Sequence, residues 1–314
     1  MKGRSRRDQF NTTAPSSRNT PLQGLVIAHL GKGLAVESPA GAIVLCHTRR
    51  RLGEVAVGDR VLWTPCEGDL GRVEEILPRT SVLTRPGYAG KIRPVAANLD
   101  RVFVVLAPAP EPDWLLVDQY LAICEHRGIS AALIFNKVDL AQAEVESVLD
   151  DYACIGYPRY LVSARTGAGL AELRHALQGH CSMLAGQSGV GKSSLTNALL
   201  PEKNLATAAL SEKSGLGRHT TSAATLYHLP GGGDLIDSPG VAVFGLAEIS
   251  GRDLAAGYRE FQPLIARCLF NDCRHIHDKG CAVRDAAQAG RISQARYQRY
   301  LKLLDKLAAP TGPG

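Results

Sequence analysis

The most informative segment of this 314-residue chain is Gly186-Gln187-Ser188-Gly189-Val190-Gly191-Lys192-Ser193. It matches the pattern GxxxxGK[ST], follows the apolar run SMLA and precedes a helix-like run, which is the context of a phosphate-binding P-loop. The glycines let backbone amides curl around phosphate oxygens, and the helix that begins here, with Ser194 in its first turn, adds a favourable dipole. Lys192 is expected to reach the β- and γ-phosphates, and Ser193 to ligate Mg²⁺.

Strand-like and helix-like segments alternate around this loop, from about residue 98 to residue 250. Apolar runs such as RVFVVLA, AALIF, RYLVSA and GDLID read as strands, and segments 115–128 and about 141–153 read as helices. Strands separated by helices of this length form a mostly parallel sheet with helices on both faces. Residues 98–250 are therefore predicted to form an α/β P-loop domain.

A four-residue motif, Asn136-Lys137-Val138-Asp139, follows the predicted strand AALIF and points to the base of the nucleotide. An aspartate at this place can accept the N1–H and N2 amino hydrogens of guanine, a pair of donors that adenine lacks. Ser163-Ala164 ends the run RYLVSA, so that the Ala164 amide is placed to meet guanine O6. Together with the P-loop, these residues predict binding of GTP and GDP rather than ATP.

The run GDLI is followed by Asp237-Ser238-Pro239-Gly240. An acid at this position holds Mg²⁺, directly or through water, and the Gly240 amide can sense the γ-phosphate. Between the P-loop and this motif lies GLGRHTT, the polar and glycine-flanked stretch 215–221. Either Thr220 or Thr221 is expected to complete the Mg²⁺ shell, and the sequence does not choose between them.

The residue after this motif, Val241, is apolar where Ras-like enzymes place a water-orienting glutamine. Unaided hydrolysis is therefore expected to be slow, and another group must position the water. His219 is the best candidate in the chain, because a neutral imidazole can orient water or accept its proton. The predicted catalytic residues are thus His219 and Lys192; the alternative is that His219 only shapes its loop.

The order of these motifs is unusual. In most GTPases the P-loop comes first, whereas here residues 136–139 and 163–164 precede it. The parts are the same and the chain ends have moved, as a circular permutation would do. The chain runs from residues 237–240 into the C-terminal region, which leads to the hypothesis that nucleotide state moves that region.

The N-terminal part reads as a small β-barrel. Residues 21–97 contain five short β-like runs, LVIAHL, LAVES, AIVLCH, DRVLWTP and RVEEIL, separated by turns most of which contain glycine. Five such strands in this length make an OB-fold the natural candidate. Residues 1–20 carry five basic residues and one acidic residue, and are predicted to be a disordered basic tail, with an organelle transit peptide as the alternative.

The C-terminal part, residues 251–314, reads as mostly helical around a metal site, and residues 253–268 are predicted to form its first helix. Three of the eight cysteines crowd into fourteen positions: the predicted ligands are Cys268, Cys273, His275 and Cys281. Three thiolates and one imidazole make a tetrahedral zinc set, and the compact spacing suits a closed structural site. His277 is the alternative fourth ligand.

The charge distribution and the hydropathy of the chain limit the kinds of partner that the protein is expected to bind. The net charge is +6, with both ends of the chain basic and the middle mildly acidic, which suits a protein that grips a nucleic acid from its ends. No window approaches the roughly 20 apolar residues of a membrane span, and no secretory signal follows the basic N-terminus. The expectation is a cytoplasmic monomer without a membrane partner.

The permuted motif order, the stretch GRHTT, DSPG with an apolar residue after it, and the cysteine–histidine cluster together resemble one family. It is the RsgA family of circularly permuted GTPases of small ribosomal subunit biogenesis, also called YjeQ or EngC. The likeness covers about residues 21–305. It implies an OB-fold, a permuted GTPase, a zinc-binding domain and late maturation of the small subunit, with hydrolysis stimulated by that subunit. The match at GRHTT supports catalysis by His219.

The predicted function is therefore that of a GTP hydrolase that docks on the small ribosomal subunit and its rRNA and leaves after hydrolysis. The expected cofactors are one structural Zn²⁺, and Mg²⁺ with GTP. One alternative is an RNA clamp in which nucleotide only stabilises the fold. A small-molecule kinase is the other alternative, but such an enzyme has no use for the motif at residues 136–139.

Overall fold

An eleven-stranded sheet, one half of it rolled into a barrel, forms the framework of the computed structural model. The structure describes residues 20–31, 33–49, 51–87, 91–140, 143–201, 224–238, 246 and 249–308. The predicted disordered tail, residues 1–20, lies outside this part of the chain except for Thr20. None of the helices in the described ranges combines the length and the apolar character that crossing a membrane requires.

The barrel consists of the five predicted strands. They are β1 (Leu22–Leu30), β2 (Gly33–Glu37), β3 (Ile43–Thr48), β4 (Arg60–Pro65) and β5 (Leu70–Ile76). Their order is β1-β2-β3-β5-β4, and β4 pairs back onto β1, so the sheet closes. Only β3 and β5 run parallel. This closed five-stranded barrel confirms the predicted OB-fold.

The barrel interior is small and tightly filled. Trp63, Val73 and Cys46 are buried there with other apolar residues of the same strands. A Cβ atom at Gly71 would lie 2.4 Å from the Cys46 sulfur and 2.8 Å from the Trp63 ring. Only glycine fits beside these side chains, which explains a glycine inside a strand.

A two-stranded hairpin, which was not predicted, follows the barrel. Strands β6 (Val82–Pro86) and β7 (Ile92–Ala97) pair with each other, and Ala96 of β7 also forms an isolated bridge with Val57. Prolines within both runs of sequence argue against strands, because proline cannot donate to a ladder. The hairpin tolerates them, because proline is accepted at edge positions that need no ladder hydrogen bond.

The other half of the large sheet carries helices and is mostly parallel, as predicted. Its strands are β8 (Arg101–Leu106), β9 (Ser130–Phe135), β10 (Arg159–Leu161), β11 (Cys181–Ala185), β12 (Thr225–His228) and β13 (Asp234–Asp237). The helices are α1 (Trp114–His126), α2 (Ala143–Cys154), α3 (Leu170–Leu177) and α4 (Lys192–Leu199). The strand order is β10-β9-β8-β11-β13-β12, and only β12 runs antiparallel.

The C-terminal region is helical, with one correction to the prediction. Its helices are α5 (Gly251–Ala256), α6 (Gln262–Ile265), α7 (Ala282–Gln288) and α8 (Gln294–Ala308). Residues 253–268 were expected to form one helix, but they form parts of two short helices with a break at Gly257. A Cβ atom at Gly257 would lie 2.6 Å from the carbonyl oxygen of Ala122 in α1. This close backbone approach lets the chain turn where it crosses α1.

Buried charges fasten the C-terminal helices to the central sheet region. Asp118 of α1 is fully buried and accepts hydrogen bonds from Arg296 and Arg299 of α8. It also accepts one from the hydroxyl of Tyr152 in α2, at 2.7 Å. Arg296 reaches the Glu260 carboxylate as well. A buried charge is tolerated only when it is paired in this way, so the network fixes how α8 sits against α1 and α2.

One apolar cluster extends through all three regions. It includes Ile27 in the barrel, Ile236 in the central sheet and Tyr300 in α8. A second cluster, with Leu173 and Leu195, fills the opposite face of the central sheet under α3 and α4. The regions are therefore packed together rather than strung on open linkers.

A histidine bridges the barrel and the central sheet. His228 at the end of β12 contacts the Asp234 carboxylate at 2.6 Å and the Glu37 carboxylate of β2 at 2.7 Å. Near this bridge, β1 pairs with β12 at Ala28 and Thr225. The hydrogen bond to Asp234, and then the contact with Glu37, raise the pKa of His228 from 6.5 to about 9.

We expect the substitution His228→Gln to destabilise the protein in a pH-dependent way. The folded-state pKa is raised, so the contribution of the bridge is full below pH 6.5 and is lost as pH rises through about 9. His228 is half-exposed, so the loss in unfolding free energy should be about 1 kcal/mol or less near pH 6 and close to zero near pH 10. Urea unfolding measures both values, with His47→Gln on the barrel surface as the control. A loss that grows with pH would contradict the bridge.

Candidate functional site

Those residues predicted to bind GTP that the structure describes meet at one edge of the central sheet. The P-loop follows β11, residues 136–139 follow β9, residues 163–164 follow β10, and Asp237 ends β13. These four strands run parallel, so their carboxyl ends lie at the same edge. Ligands of open parallel sheets bind at this edge.

The backbone of the P-loop has a shape that needs glycine at two positions. Gly186 has a φ of +140° and Gly191 a φ of +94°. A Cβ atom at Gly186 would lie 2.3 Å from the carbonyl oxygen of Val105, and one at Gly191 would lie 2.3 Å from the side-chain nitrogen of Asn136. The loop is therefore pressed against β8 and against the segment after β9, with α4 beginning at Lys192.

Lys192 lies over the loop. Its Nζ donates to the carbonyl oxygens of Gly186 and Gln187, each at 2.7 Å. Burial lowers the pKa of the Lys192 amine, and the Asp237 carboxylate partly offsets this change. The side chain thus holds a partly desolvated cation between the P-loop and the end of β13, which is suited to an anionic ligand.

Asn136 joins three of the segments. Its side-chain nitrogen donates to the carbonyl oxygen of Val190 in the P-loop at 2.9 Å. Its side-chain oxygen accepts from the Ala164 amide at 3.1 Å. Asn136 is only 1% exposed, so both bonds are made away from water. The first residue of the predicted base motif is therefore a structural tie between the P-loop and residues 163–164.

A segment that the sequence analysis did not single out, residues 109–113, closes one side of the P-loop. The Nζ atom of Lys137 donates to the carbonyl oxygens of Ala109 and Gly189, at 2.6 and 2.7 Å. The side chain of Gln187 donates to the carbonyl oxygen of Glu111 at 2.8 Å and accepts from the Asp113 amide at 2.7 Å. These contacts hold the side chains of Lys137 and Gln187, both partly exposed, along the loop.

Asp139 carries two partners on its carboxylate. Oδ1 accepts from the Ser163 hydroxyl at 2.5 Å, and Oδ2 accepts from Arg165 at 2.6 and 3.1 Å. The Ser163 hydrogen bond, and then Arg165, hold the pKa of Asp139 below its ordinary value. Arg165 is the site residue that sequence reasoning missed, and its position directly after Ser163-Ala164 was the available signal.

The remaining predicted residues divide into two groups. Val138 begins a short 3-10 turn, Val138–Leu140, and Ser193 and Ser194 are exposed in the first turn of α4. Outside the described residues are His219, Thr220, Thr221 and Gly240. The structure therefore describes the residues predicted to contact the base and most of those predicted to contact the phosphates. The roles predicted for His219, Thr220, Thr221 and Gly240 stay predictions.

The cysteine–histidine cluster assembles in the C-terminal region. The ligand atoms of Cys268, Cys273, His275 and Cys281 all lie within 4.8 Å of one another. The Nδ1 atom of His275 is 3.6 Å from the Cys268 sulfur and 3.5 Å from the Cys281 sulfur. The alternative ligand, His277, is not part of this group. Three sulfurs and one ring nitrogen at this spacing fit a tetrahedral zinc ion.

Two tyrosines of α8 hold the loop that carries the histidine. The Tyr297 hydroxyl donates to the carbonyl oxygen of His275 at 2.7 Å, and the Tyr300 hydroxyl donates to that of Arg274 at 2.9 Å. His275 has a φ of +60°, a left-handed conformation that is uncommon for residues other than glycine, and the two tyrosine contacts hold the backbone on either side of it. The ligand loop and the helix fastened to Asp118 are thus one unit.

We expect the substitution Asn136→Ala to weaken the site and the fold together. It leaves the Val190 carbonyl and the Ala164 amide without their buried partner, which costs about 1–3 kcal/mol of unfolding free energy. Denaturant unfolding measures the loss, and hydrogen exchange should rise at the P-loop amides. The exposed Asn197 of α4 supplies the matched control, Asn197→Ala, which should change neither quantity. Unaltered exchange in the P-loop of Asn136→Ala would show that the tie is dispensable.

Comparisons with known proteins place this site in context. The family model described as RsgA GTPase matches residues 76–247. The chain is 46% identical over 295 residues to the small ribosomal subunit biogenesis GTPase RsgA of Azotobacter vinelandii, covering 91% of this chain and 86% of that protein. It is 47% identical over 285 residues to the protein of the same name from Pseudomonas aeruginosa, covering 90% and 84%.

Two solved structures are similar over nearly their whole length. The crystal structure of YjeQ from Thermotoga maritima matches with a TM-score of 0.75 and 32% identity, covering 92% of this chain and 99% of that one. YloQ, described as a circularly permuted GTPase, matches with a TM-score of 0.72 and 26% identity, covering 94% and 98%.

Proposed function

We propose that this chain, which belongs to the RsgA GTPase family and is a GTP hydrolase, acts in the biogenesis of the small ribosomal subunit. Relatives that share nearly half of its residues carry that function in their names. The structural observation that carries the proposal is the junction made by Asn136, which joins the P-loop to the residues expected to read guanine. We assign the OB-fold to residues 21–97, the permuted GTPase to 98–250 and the zinc-binding region to 251–314.

The base is bound, in this proposal, at Asp139 and Ala164. The Asp139 carboxylate accepts the N1–H and N2 amino hydrogens of guanine, which rejects adenine because adenine lacks this pair of donors. The Ala164 amide donates to O6, and it would be shared with the side-chain oxygen of Asn136, which it reaches at 3.1 Å. Ser163 holds the carboxylate in place from its other side.

The phosphates lie along the P-loop, against its amides and the N-terminus of α4. Lys192 exchanges the loop carbonyls for β- and γ-phosphate oxygens, with a cation that is already partly desolvated. Ser193, Asp237 and one of Thr220 and Thr221 would hold Mg²⁺, which neutralises charge on the phosphates. The Gly240 amide is assigned to the γ-phosphate.

Hydrolysis is assigned to His219, which orients the attacking water in place of the apolar Val241. Docking on the small subunit and its rRNA brings His219 into position, so the reaction is slow in the free protein and fast on the ribosome. Loss of the γ-phosphate then releases the protein. The basic character of both chain ends supports an RNA partner, because phosphate contacts dominate nucleic-acid affinity.

The cluster of Cys268, Cys273, His275 and Cys281 would hold one Zn²⁺, which supplies folding free energy rather than chemistry. Burial raises the pKa of the Cys273 thiol to about 12 and lowers the pKa of His275. A bound dication reverses this balance for the thiols, because it stabilises thiolates.

Removal of the metal is expected to loosen the C-terminal helices. The full-length chain should contain about one zinc per molecule, and Cys281→Ser should lower both zinc content and helix content, because four ligands close a structural site. Metal analysis and hydrogen exchange over residues 251–308 measure the two effects. Cys154→Ser, at an exposed cysteine of α2, is the control. Full protection of this region in a zinc-free sample would rule out a structural ion.

The function itself is tested by GTP turnover with and without purified small ribosomal subunits. We expect stimulation of at least about tenfold, because a positioned water and a fixed γ-phosphate lower the activation barrier by at least about 1.4 kcal/mol relative to the ribosome-free protein. Lys192→Ala should abolish the stimulated rate. Slow, unstimulated turnover with intact GTP binding would instead favour an RNA clamp that uses nucleotide only for stability.

A further inference from the structure

The side chain of Arg165 occupies the carboxylate that is proposed to read guanine. Both its Nε and its Nη2 donate to Oδ2 of Asp139, at 3.1 and 2.6 Å. The Arg165 side chain is 75% exposed, whereas that of Asp139 is 15% exposed. Within the described residues, the hydrogen bonds found for this guanidinium all go to Asp139. It is therefore a solvent-accessible cation held against the proposed guanine-reading carboxylate by one partner.

The other partner of Asp139 is fixed in place. Ser163 is fully buried, and its hydroxyl, which donates to Oδ1, also accepts from the Thr166 amide at 3.2 Å. Its backbone is bonded to Ala168 and Gly167. Ser163 thus belongs to the rigid frame of the loop, and of the two partners only Arg165 can leave without breaking the loop.

The two partners leave unequal acceptor capacity on the carboxylate. Each carboxylate oxygen has two lone-pair sites. Ser163 takes one site on Oδ1, whereas the two Arg165 donors take both sites on Oδ2. Guanine presents two parallel donors, N1–H and the N2 amino group, which need one site on each oxygen. The base therefore requires Oδ2, and Oδ2 is the oxygen that Arg165 holds.

We propose that Arg165 is an internal competitor of the guanine base, a residue that lowers the affinity for guanine nucleotides and speeds their release. The inference rests on the proposed guanine-reading role of Asp139. When the base leaves, Arg165 returns to Oδ2 and pairs a carboxylate that is otherwise half-satisfied. Product GDP is thereby displaced without help from a partner protein. This suits an enzyme in which the ribosome is proposed to control GTP hydrolysis and not nucleotide exchange.

The expected effect is small in size and definite in sign. An exposed ion pair contributes little, so Arg165→Ala should tighten GDP by about two- to fivefold, mainly through slower dissociation. Arg165→Lys keeps the charge but loses the two-donor contact, so its GDP affinity should lie between those of the wild type and Arg165→Ala. Salt screens an exposed pair, so the gap between wild type and Arg165→Ala should narrow as ionic strength rises.

The experiment measures the equilibrium binding and dissociation of a fluorescent GDP on the full-length chain and its variants. Lys302→Ala, at an exposed lysine of α8, controls for the loss of one positive charge and should bind GDP like the wild type. Weaker GDP binding by Arg165→Ala would mean that the guanidinium contacts the nucleotide and would overturn the proposal. Unchanged binding and dissociation would overturn it as well.

A second arm separates this inference from the proposed function. The substitution Asp139→Asn places an amide nitrogen where it can donate to the 2-oxo group of xanthine. This variant should therefore prefer xanthosine diphosphate (XDP) to GDP. If it does not, the guanine-reading role of Asp139 fails. In the Asp139→Asn background no carboxylate remains for Arg165, so adding Arg165→Ala should leave XDP affinity unchanged. Loss of XDP affinity in the double variant would instead reveal a direct contact with the base and contradict competition.

Discussion

The two hydrogen bonds of the buried Asn136 side chain are the constraint on which the site depends. They join the P-loop, at Val190, to the loop that begins at Ser163, at the Ala164 amide. A polar side chain buried in this way is costly unless both of its groups are bonded, so the three segments are held at fixed separation. The P-loop and the residues proposed to bind the base are therefore held together by buried contacts, in spite of the permuted order of their motifs.

The same reasoning explains how the C-terminal region can respond to this site. Residues 109–113 contact the P-loop through Lys137 and Gln187 and then lead into α1. That helix carries Asp118, whose buried charge is neutralised by Arg296 and Arg299 of the last helix. Tyrosine hydroxyls of that last helix, α8, also donate hydrogen bonds to the loop of the zinc-compatible cluster. Rigid contacts thus run from the P-loop to the C-terminal cluster, which is the physical basis for the hypothesis of a nucleotide-dependent C-terminal region.

Sequence reasoning succeeded where a short pattern dictates local geometry. The P-loop glycines, the five barrel strands and the cysteine spacing each predict a structure that the chain adopts, and the permuted family assignment is confirmed. It failed where contacts join distant residues. Gln187 meets Glu111 across 76 positions and Arg296 meets Asp118 across 178, and no local pattern announces either pairing. The break at Gly257 depends on the backbone of α1, and the β6–β7 hairpin is hidden by its prolines.

The proposed function depends above all on recognition of guanine by Asp139 at this edge of the sheet. The most direct measurement is a calorimetric titration of the full-length chain with GDP and with ADP, both in the presence of Mg²⁺. We expect GDP to bind at least about a hundredfold more tightly, because adenine lacks the N1–H and N2 amino donors that the Asp139 carboxylate accepts from guanine. Equal affinity for the two nucleotides would contradict guanine recognition by Asp139 and would favour the alternative that the protein is a small-molecule kinase.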